Sequence, residues 1–228
     1  YIPYAEGNMI EEIGDKTSAL KKYNEALTYG NHFLFLRARG EIFYEMKQYD
    51  NAITDFNRSL ELRPFQSKAL KDKAKAYYRS GKIDEALREI NLAIELDRLE
   101  PFQLIERAKI YRKLGRNEEA EKDYKDAIIY GKYYGYVWRE RAEHWYYDLK
   151  NYKWAADDLR MATSLNPENV RGWYLLGLAL YRLNDDKAYE PFEKYLELCN
   201  VKKASICEGD KTSWARKYIA CKKGKGPC

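Results

Sequence analysis

Glycine and proline are scarce in this chain of 228 residues, 13 and 6 in number. Turn-rich β architectures need both, and the abundance of Leu, Ala, Glu, Lys and Arg points instead to helices. Histidine occurs only at His32 and His144, and cysteine is absent before Cys199. A histidine general base or a His/Cys zinc centre therefore has few members to draw on. No apolar run approaches the roughly 18 residues of a membrane span; the longest candidate, "GWYLLGLALY", ends at Arg182. The phosphate-cradling G-x-x-x-x-G-K-[ST], the zinc-protease H-E-x-x-H and the esterase G-x-S-x-G are all missing. Carboxylates are plentiful, but no pair is singled out from solvated helix faces. The expectation is a chain with no catalytic residues, no metal site and no cofactor.

Charge of one sign is also lacking where the total suggests it. The net charge is +5, yet residues 201–228 alone hold eight basic against two acidic residues. The rest carries 33 basic and 34 acidic residues. A basic surface fit for nucleic acid is thus confined to the tail.

What the chain does have is one helix written repeatedly. "NAITDFNRSLELRP" at 51–64 shares its rhythm with segments at 85–98, 119–132 and 154–167. Aligned, they give a column of alanines: Ala19, Ala52, Ala86, Ala120, Ala155 and Ala188, in steps of 33, 34, 34, 35 and 33. Four residues on stands a larger column, Tyr23, Phe56, Ile90, Tyr124, Leu159 and Phe192. Three further on comes a small one, Ala26, Ser59, Ala93, Ala127 and Ala162, broken by Tyr195. Spacings of four and seven put these on one helical face, where small residues admit a neighbouring helix and large ones fill the space beside it. A second helix precedes each, with the small column Gly7, Gly40, Ala74, Ala108, Ala142 and Gly177. Turn signals separate the paired helices, where one-residue changes of period can be absorbed, and Pro64, Pro101 and Pro167 fall between pairs.

This pattern resembles the tetratricopeptide repeat, a 34-residue helix–turn–helix unit. "GWYLLGLALY" matches its Trp, Leu and Gly, and the second unit supplies Gly40, Phe43, Ala52, Phe56 and Pro64. The departures are Pro3 at a usually large apolar position and a sixth turn one residue short. The resemblance implies an all-α, right-handed superhelical solenoid of six repeats over 1–200: 1–32, 33–66, 67–100, 101–134, 135–169 and 170–200. Stacked pairs share a continuous core, so Trp138, Trp145 and Trp173 read as core. In the basic, cysteine-containing segment 201–228, "DKTSWARKYIAC" reads as a capping helix over the sixth unit, with Asp210 or Thr212 as N-cap.

By the same resemblance the first helix of each pair lines a concave groove. Its outward positions are acidic first (Glu11, Glu12, Glu41 and Glu45), then basic, then aromatic. The candidate contact residues are Tyr44, Lys68, Lys71, Lys75, Tyr78, Arg79, Phe102, Lys109, Arg112, Lys113, Arg139 and Tyr146. Seven of these are cations on one face of two adjacent helices, with Asp72 and Glu106 read as displaced from that face. The expected partner is an extended peptide or helix carrying acidic groups, met by Lys and Arg while tyrosines pack its apolar parts. The family's clamp for chaperone-tail carboxylates is not expected: Asn8 and Lys68 fit it, but Tyr4, Ala38 and Asp72 do not. Polyanion binding through the central lysines and the tail is the alternative, with nucleic acid the less favoured partner. A third reading is an architectural subunit that uses its convex face.

Cys199, Cys207, Cys221 and Cys228 lack any C-x2-C pair. Disulfides stapling the cap are the expectation, which implies a periplasmic or secreted location. Four reduced thiols in the cytoplasm are the alternative.

Overall fold

The computed structural model describes residues 2–12, 14–202, 207 and 209–224. Among them there are thirteen helices and no strand. The chain divides into two compact units, Tyr1–Arg116 and Asn117–Cys228. The first holds α1 (Ile2–Glu12), α2 (Lys16–Thr28), α3 (Phe33–Glu45), α4 (Tyr49–Leu62), α5 (Ser67–Arg79), α6 (Ile83–Leu96) and α7 (Pro101–Lys113). The second holds α8 (Asn117–Gly131), α9 (Gly135–Tyr147), α10 (Tyr152–Leu165), α11 (Val170–Arg182), α12 (Tyr189–Lys202) and α13 (Asp210–Lys222). Within each unit consecutive helices pack as pairs: α1 on α2, α3 on α4, α5 on α6, α9 on α10 and α11 on α12.

The turns inside the pairs share one device. At each, one residue takes positive φ: Gly14, Lys47, Gly81, Gly115, Lys150 and Asn184. The next amide then bonds back across the helix end, as Gln48 N–H to Phe43 O (2.8 Å), Lys82 to Tyr77 (2.9 Å) and Asp185 to Leu180 (3.0 Å). This is the left-handed helix stop that satisfies the last carbonyls. In the fifth pair the closure is one residue wider, Asn151 N–H to Trp145 O at 2.8 Å. The 35-residue step is thus taken up in that turn. In the sixth the shortening falls after Asn184, so Ala188 lies just before α12 rather than inside it.

The repeated columns form the core. All six alanines of the first column and all six large residues four places on are fully buried. Depth is shared between the helices of a pair. A Cβ on Gly7, Gly40 or Gly177 would lie 2.6–2.7 Å from the ring of Tyr23, Phe56 or Phe192. Where the first helix carries Ala74 or Ala142, the second carries Ile90 or Leu159 instead. In these five pairs volume added on one helix is removed from the other, whereas Ala108 keeps the large Tyr124 as its counterpart. Trp145 is buried, while Trp138 and Trp173 are half-buried and donate their indole N–H to Lys132 O (2.8 Å) and Pro167 O (2.7 Å).

An ion pair at equivalent positions recurs in several pairs, with the carboxylate buried at Asp55 and Asp158. Arg39 grips Asp55 through two 2.7 Å bonds, Arg141 grips Asp158 likewise, and Lys73 meets Glu89 at 2.8 Å. The first pair has the signs reversed, with Lys22 on Glu6 at 2.7 Å. Burial outweighs the arginine at Asp158 and raises its pKa.

Helix α13 packs on α12. Trp214 and Tyr218 stack in parallel and present their rings to Phe192 and Tyr181 at 5.1–5.7 Å. Its start differs from expectation: Gly209 holds the N-cap position and no side chain caps it. Asp210 lies in the first turn, where its charge meets the positive end of the helix, and Thr212 bonds back to Gly209 O at 3.0 Å. Cys199 and Cys207 form a disulfide with Cα atoms 5.3 Å apart. Among the described residues no cysteine is a free thiol, and Cys228 lies outside them.

Candidate partner-binding groove

In the first unit, α5 meets both α3 and α7. Residues three and four apart therefore project from adjacent helices onto a common face. Lys68, Arg79 and Lys113 are exposed there, and Lys71, Lys75, Tyr78, Phe102, Lys109 and Arg112 are half-buried. Tyr44 joins them from α3: its hydroxyl accepts from Arg79 Nε at 3.4 Å, and Lys75 Nζ lies 4.9 Å from its ring centroid. The hydrogen bond to Tyr44 raises the pKa of Arg79.

The face is less uniformly basic than the sequence suggested. Asp72 is not displaced from it: its Oδ1 lies 3.7 Å from Lys75 Nζ and its Oδ2 3.6 Å from Arg37. Glu106 pairs with Lys109 at 3.1 Å. The reason is geometric. A residue three positions before a lysine sits on the lysine's own face one turn earlier, so neither carboxylate can point away. Arg37 also pairs with Glu41. Burial, and next the nearby Asp72 carboxylate, push Glu41 up to about 7. Lys68, Lys71 and Lys113 have no carboxylate partner among the described residues.

In the second unit Arg139 is held between Glu140 (2.8 Å) and Glu143 (2.5 Å), and Arg171 takes the other oxygen of Glu143 at 2.7 Å. Tyr146 is buried against Tyr147 and Tyr152. The more accessible groups are Tyr147, Arg171, Tyr181 and Arg182, with Tyr174 half-buried. Burial raises the Tyr147 and Tyr174 hydroxyls, which therefore stay neutral donors. An open cleft of about 460 Å³ lies beside Tyr136, Arg139, Asn169 and Arg171. Sequence reasoning missed Arg37 and Glu41 as members of a network. The i,i+4 spacing of these two was a visible signal, but the contact from α3 to α5 was not.

In the tail, Lys222 pairs with Asp186 at 3.1 Å, Lys223 with Glu193, and Lys211 lies 5.8 Å from the Tyr174 ring centroid. Among the described residues no helix is long and apolar enough to cross a membrane.

Comparison with known proteins bears on the whole arrangement. One model of the Tetratricopeptide repeat matches residues 4–67, 37–103 and 146–198, and a second matches 104–128. No curated protein matches the chain. Among solved structures, a thermophilic TPR protein of Thermus thermophilus is similar with a TM-score of 0.72 at 16% identity. That match covers 78% of this chain and 97% of that one. Yeast Tom70 is similar at 0.74 and 19% identity, over 98% of this chain and 46% of its own. MamA is similar at 0.60 and 19% identity, over 72% and 96%. At such identities the likeness is one of fold.

Proposed function

Because this chain belongs to the tetratricopeptide repeat family, whose fold is that of a protein–protein interaction scaffold, we propose that it is a non-catalytic scaffold holding an extended segment or helix of a partner protein along the α3–α5–α7 face of its first unit. The observation that carries the reading is the charge left over on that face. Asp72 and Glu106 lie close to Lys75 and Lys109, but Lys68, Lys71 and Lys113 are answered by no carboxylate of their own among the described residues. A partner's acidic groups fit that excess, and the half-buried Tyr78 and Phe102 offer apolar contact beside it.

The tail favours a protein partner over a polyanion, because Lys222 and Lys223 are turned to carboxylates of their own unit. Charge reversal of the three lysines (Lys68→Glu, Lys71→Glu, Lys113→Glu) tests the reading. Capture of the partner from the native extract should fall by roughly tenfold or more, with thermal stability nearly unchanged because none of the three is fully buried and none has a carboxylate partner among the described residues. Unchanged capture would overturn it. Nucleic acid retained by the parent chain at near-physiological salt and lost from the variant would favour the polyanion instead.

The reading extends to an oxidising compartment, periplasmic or secreted, supported by the Cys199–Cys207 bond. Four titratable thiols in the non-reduced protein would sink that part.

A further inference from the structure

The fifth pair breaks the repeat at one exposed position. The residue before the buried alanine of the second helix is Ser18, Asn51, Glu85, Glu119 or Lys187 in the other pairs, and Trp154 in this one. Trp154 is 51% exposed, and Met161 and Leu165 continue an exposed apolar stripe along α10. An indole left half in water is the mark of a contact surface rather than of a core. Trp154 forms one side of an open cleft of about 320 Å³ between α8 and α10. Trp145 of α9 lies at its base, with the two ring centroids 4.6 Å apart and the planes at 77°.

The charged groups around this cleft are already answered. Lys125 pairs with Glu121, Arg160 with Asp157 at 2.8 Å, and Arg141 with Asp158 through two 2.7 Å bonds. The buried Asp158 has the Trp145 side chain as a further donor. The backbone N–H of Trp154 reaches Asn151 Oδ1 at 3.2 Å, but its indole N–H has no acceptor among the described residues. The cleft thus offers indole faces and one open donor, and every carboxylate lining it has its cation. A fitting ligand presents apolar rings and carbonyl acceptors and brings no N–H of its own to satisfy. An α-helix does not, because its carbonyls are bonded internally. A proline tract does: proline lacks the N–H, and the carbonyls of the polyproline II helix are unbonded.

We propose that this cleft docks a proline-rich segment of a partner protein in the polyproline II conformation, its rings packed on Trp154 and against Trp145, and one of its carbonyls accepting from the Trp154 indole N–H. Aromatic-lined grooves take such segments because the stiff helix loses little entropy on binding. The cleft lies in the second unit and uses none of the lysines of the α3–α5–α7 face, so the inference stands or falls apart from the reading above.

Acetyl-hexaproline-amide added to the full chain tests this, with the indole N–H resonances followed by NMR. The Trp154 signal should move saturably and downfield as it gains an acceptor. Trp154→Glu, which restores the polar character of the other pairs, should abolish binding and leave the melting temperature nearly unchanged, because the side chain is exposed. Trp154→Phe keeps a ring and removes the donor, and should bind several-fold more weakly. Acetyl-Gly-Ser-Gly-Ser-Gly-Ser-amide, which has no rings, should leave the signal in place. No saturable shift with hexaproline overturns the proposal, as does equal affinity of Trp154→Phe or of the Gly-Ser peptide. Binding of an amphipathic Leu/Lys helical peptide at Trp154, with hexaproline left unbound, would overturn it in favour of a helix.

Discussion

Gly40 stands at the closest approach of α3 and α4, with a Cβ there 2.7 Å from the Phe56 ring. The contact is a ring wedged beneath a neighbouring helix, with little room to move. Gly40→Ala should therefore cost roughly 1–3 kcal/mol in urea unfolding. The chain itself contains the remedy, since Ala142 coexists with Leu159, and both are fully buried. Adding Phe56→Leu to Gly40→Ala should thus cost less than the sum of the two single changes. Strict additivity would show that the ring and the glycine are not in competition.

The paired helix is the element that repeats, and its ion pair is where charge decides stability. Asp55 is 2% exposed and is held by two bonds from Arg39. Arg39→Ala leaves that carboxylate buried and unpaired, which should cost about 3–5 kcal/mol. The first pair uses the opposite signs, Glu6 with Lys22. Exchanging the charges, Arg39→Glu with Asp55→Lys, should recover part of the loss, read as a coupling energy in a double-mutant cycle. Glu41, facing α5 from the neighbouring pair, brings a pH dependence of its own. Its folded pKa of about 7 lies above the ordinary glutamate value of 4.5. Between those values the native state holds the proton more tightly than the unfolded chain does. This group's contribution is therefore most favourable below pH 4.5 and is lost as pH rises through 7. The melting temperature of Glu41→Gln, compared with the parent at each pH, should gain progressively between about pH 5 and about pH 7.5. A constant difference would show that Glu41 does not hold its proton above the ordinary range.

At the scale of the whole chain, each unit contains more than stacked pairs. The second ends in α13, whose ring cluster and the Cys199–Cys207 bond close one edge of it. The bond spans eight positions of sequence, and a loop of that length is worth roughly 2.5 kcal/mol in the chain-entropy account. Replacing both cysteines by serine should lower the stability of the second unit by about that amount. Amide exchange should quicken in α13 and in α12 before it does in α9 and α10. Exchange quickened evenly throughout, or not at all, would show that the bond is not what holds the cap.

Periodicity was enough to place the repeated helices, because a column such as Ala52, Phe56 and Ser59 has one helical face to occupy and all three are fully buried. The turns were legible for the same reason: a change of one residue in the period has nowhere to go but a loop, and Asn151 and Ala188 show where it went. That the outward positions of each pair's first helix share one face was likewise readable from spacings of three and four. Which of those residues remain open to a partner was not. Lys71 and Lys75 are equivalent in the linear pattern, yet Lys75 lies over Tyr44 and near Asp72 while Lys71 meets no carboxylate among the described residues. Asp72 comes from a different helix than Arg37 and Glu41, about one repeat away in sequence. Helical spacing is a property of one element and acts over a few residues. Ion pairing and burial depend on distances between elements, which no single helix contains. The sequence by itself therefore determined the scaffold and its repeating wall, and only the packing of α3 against α5 decided which charges there are satisfied within the protein and which are not.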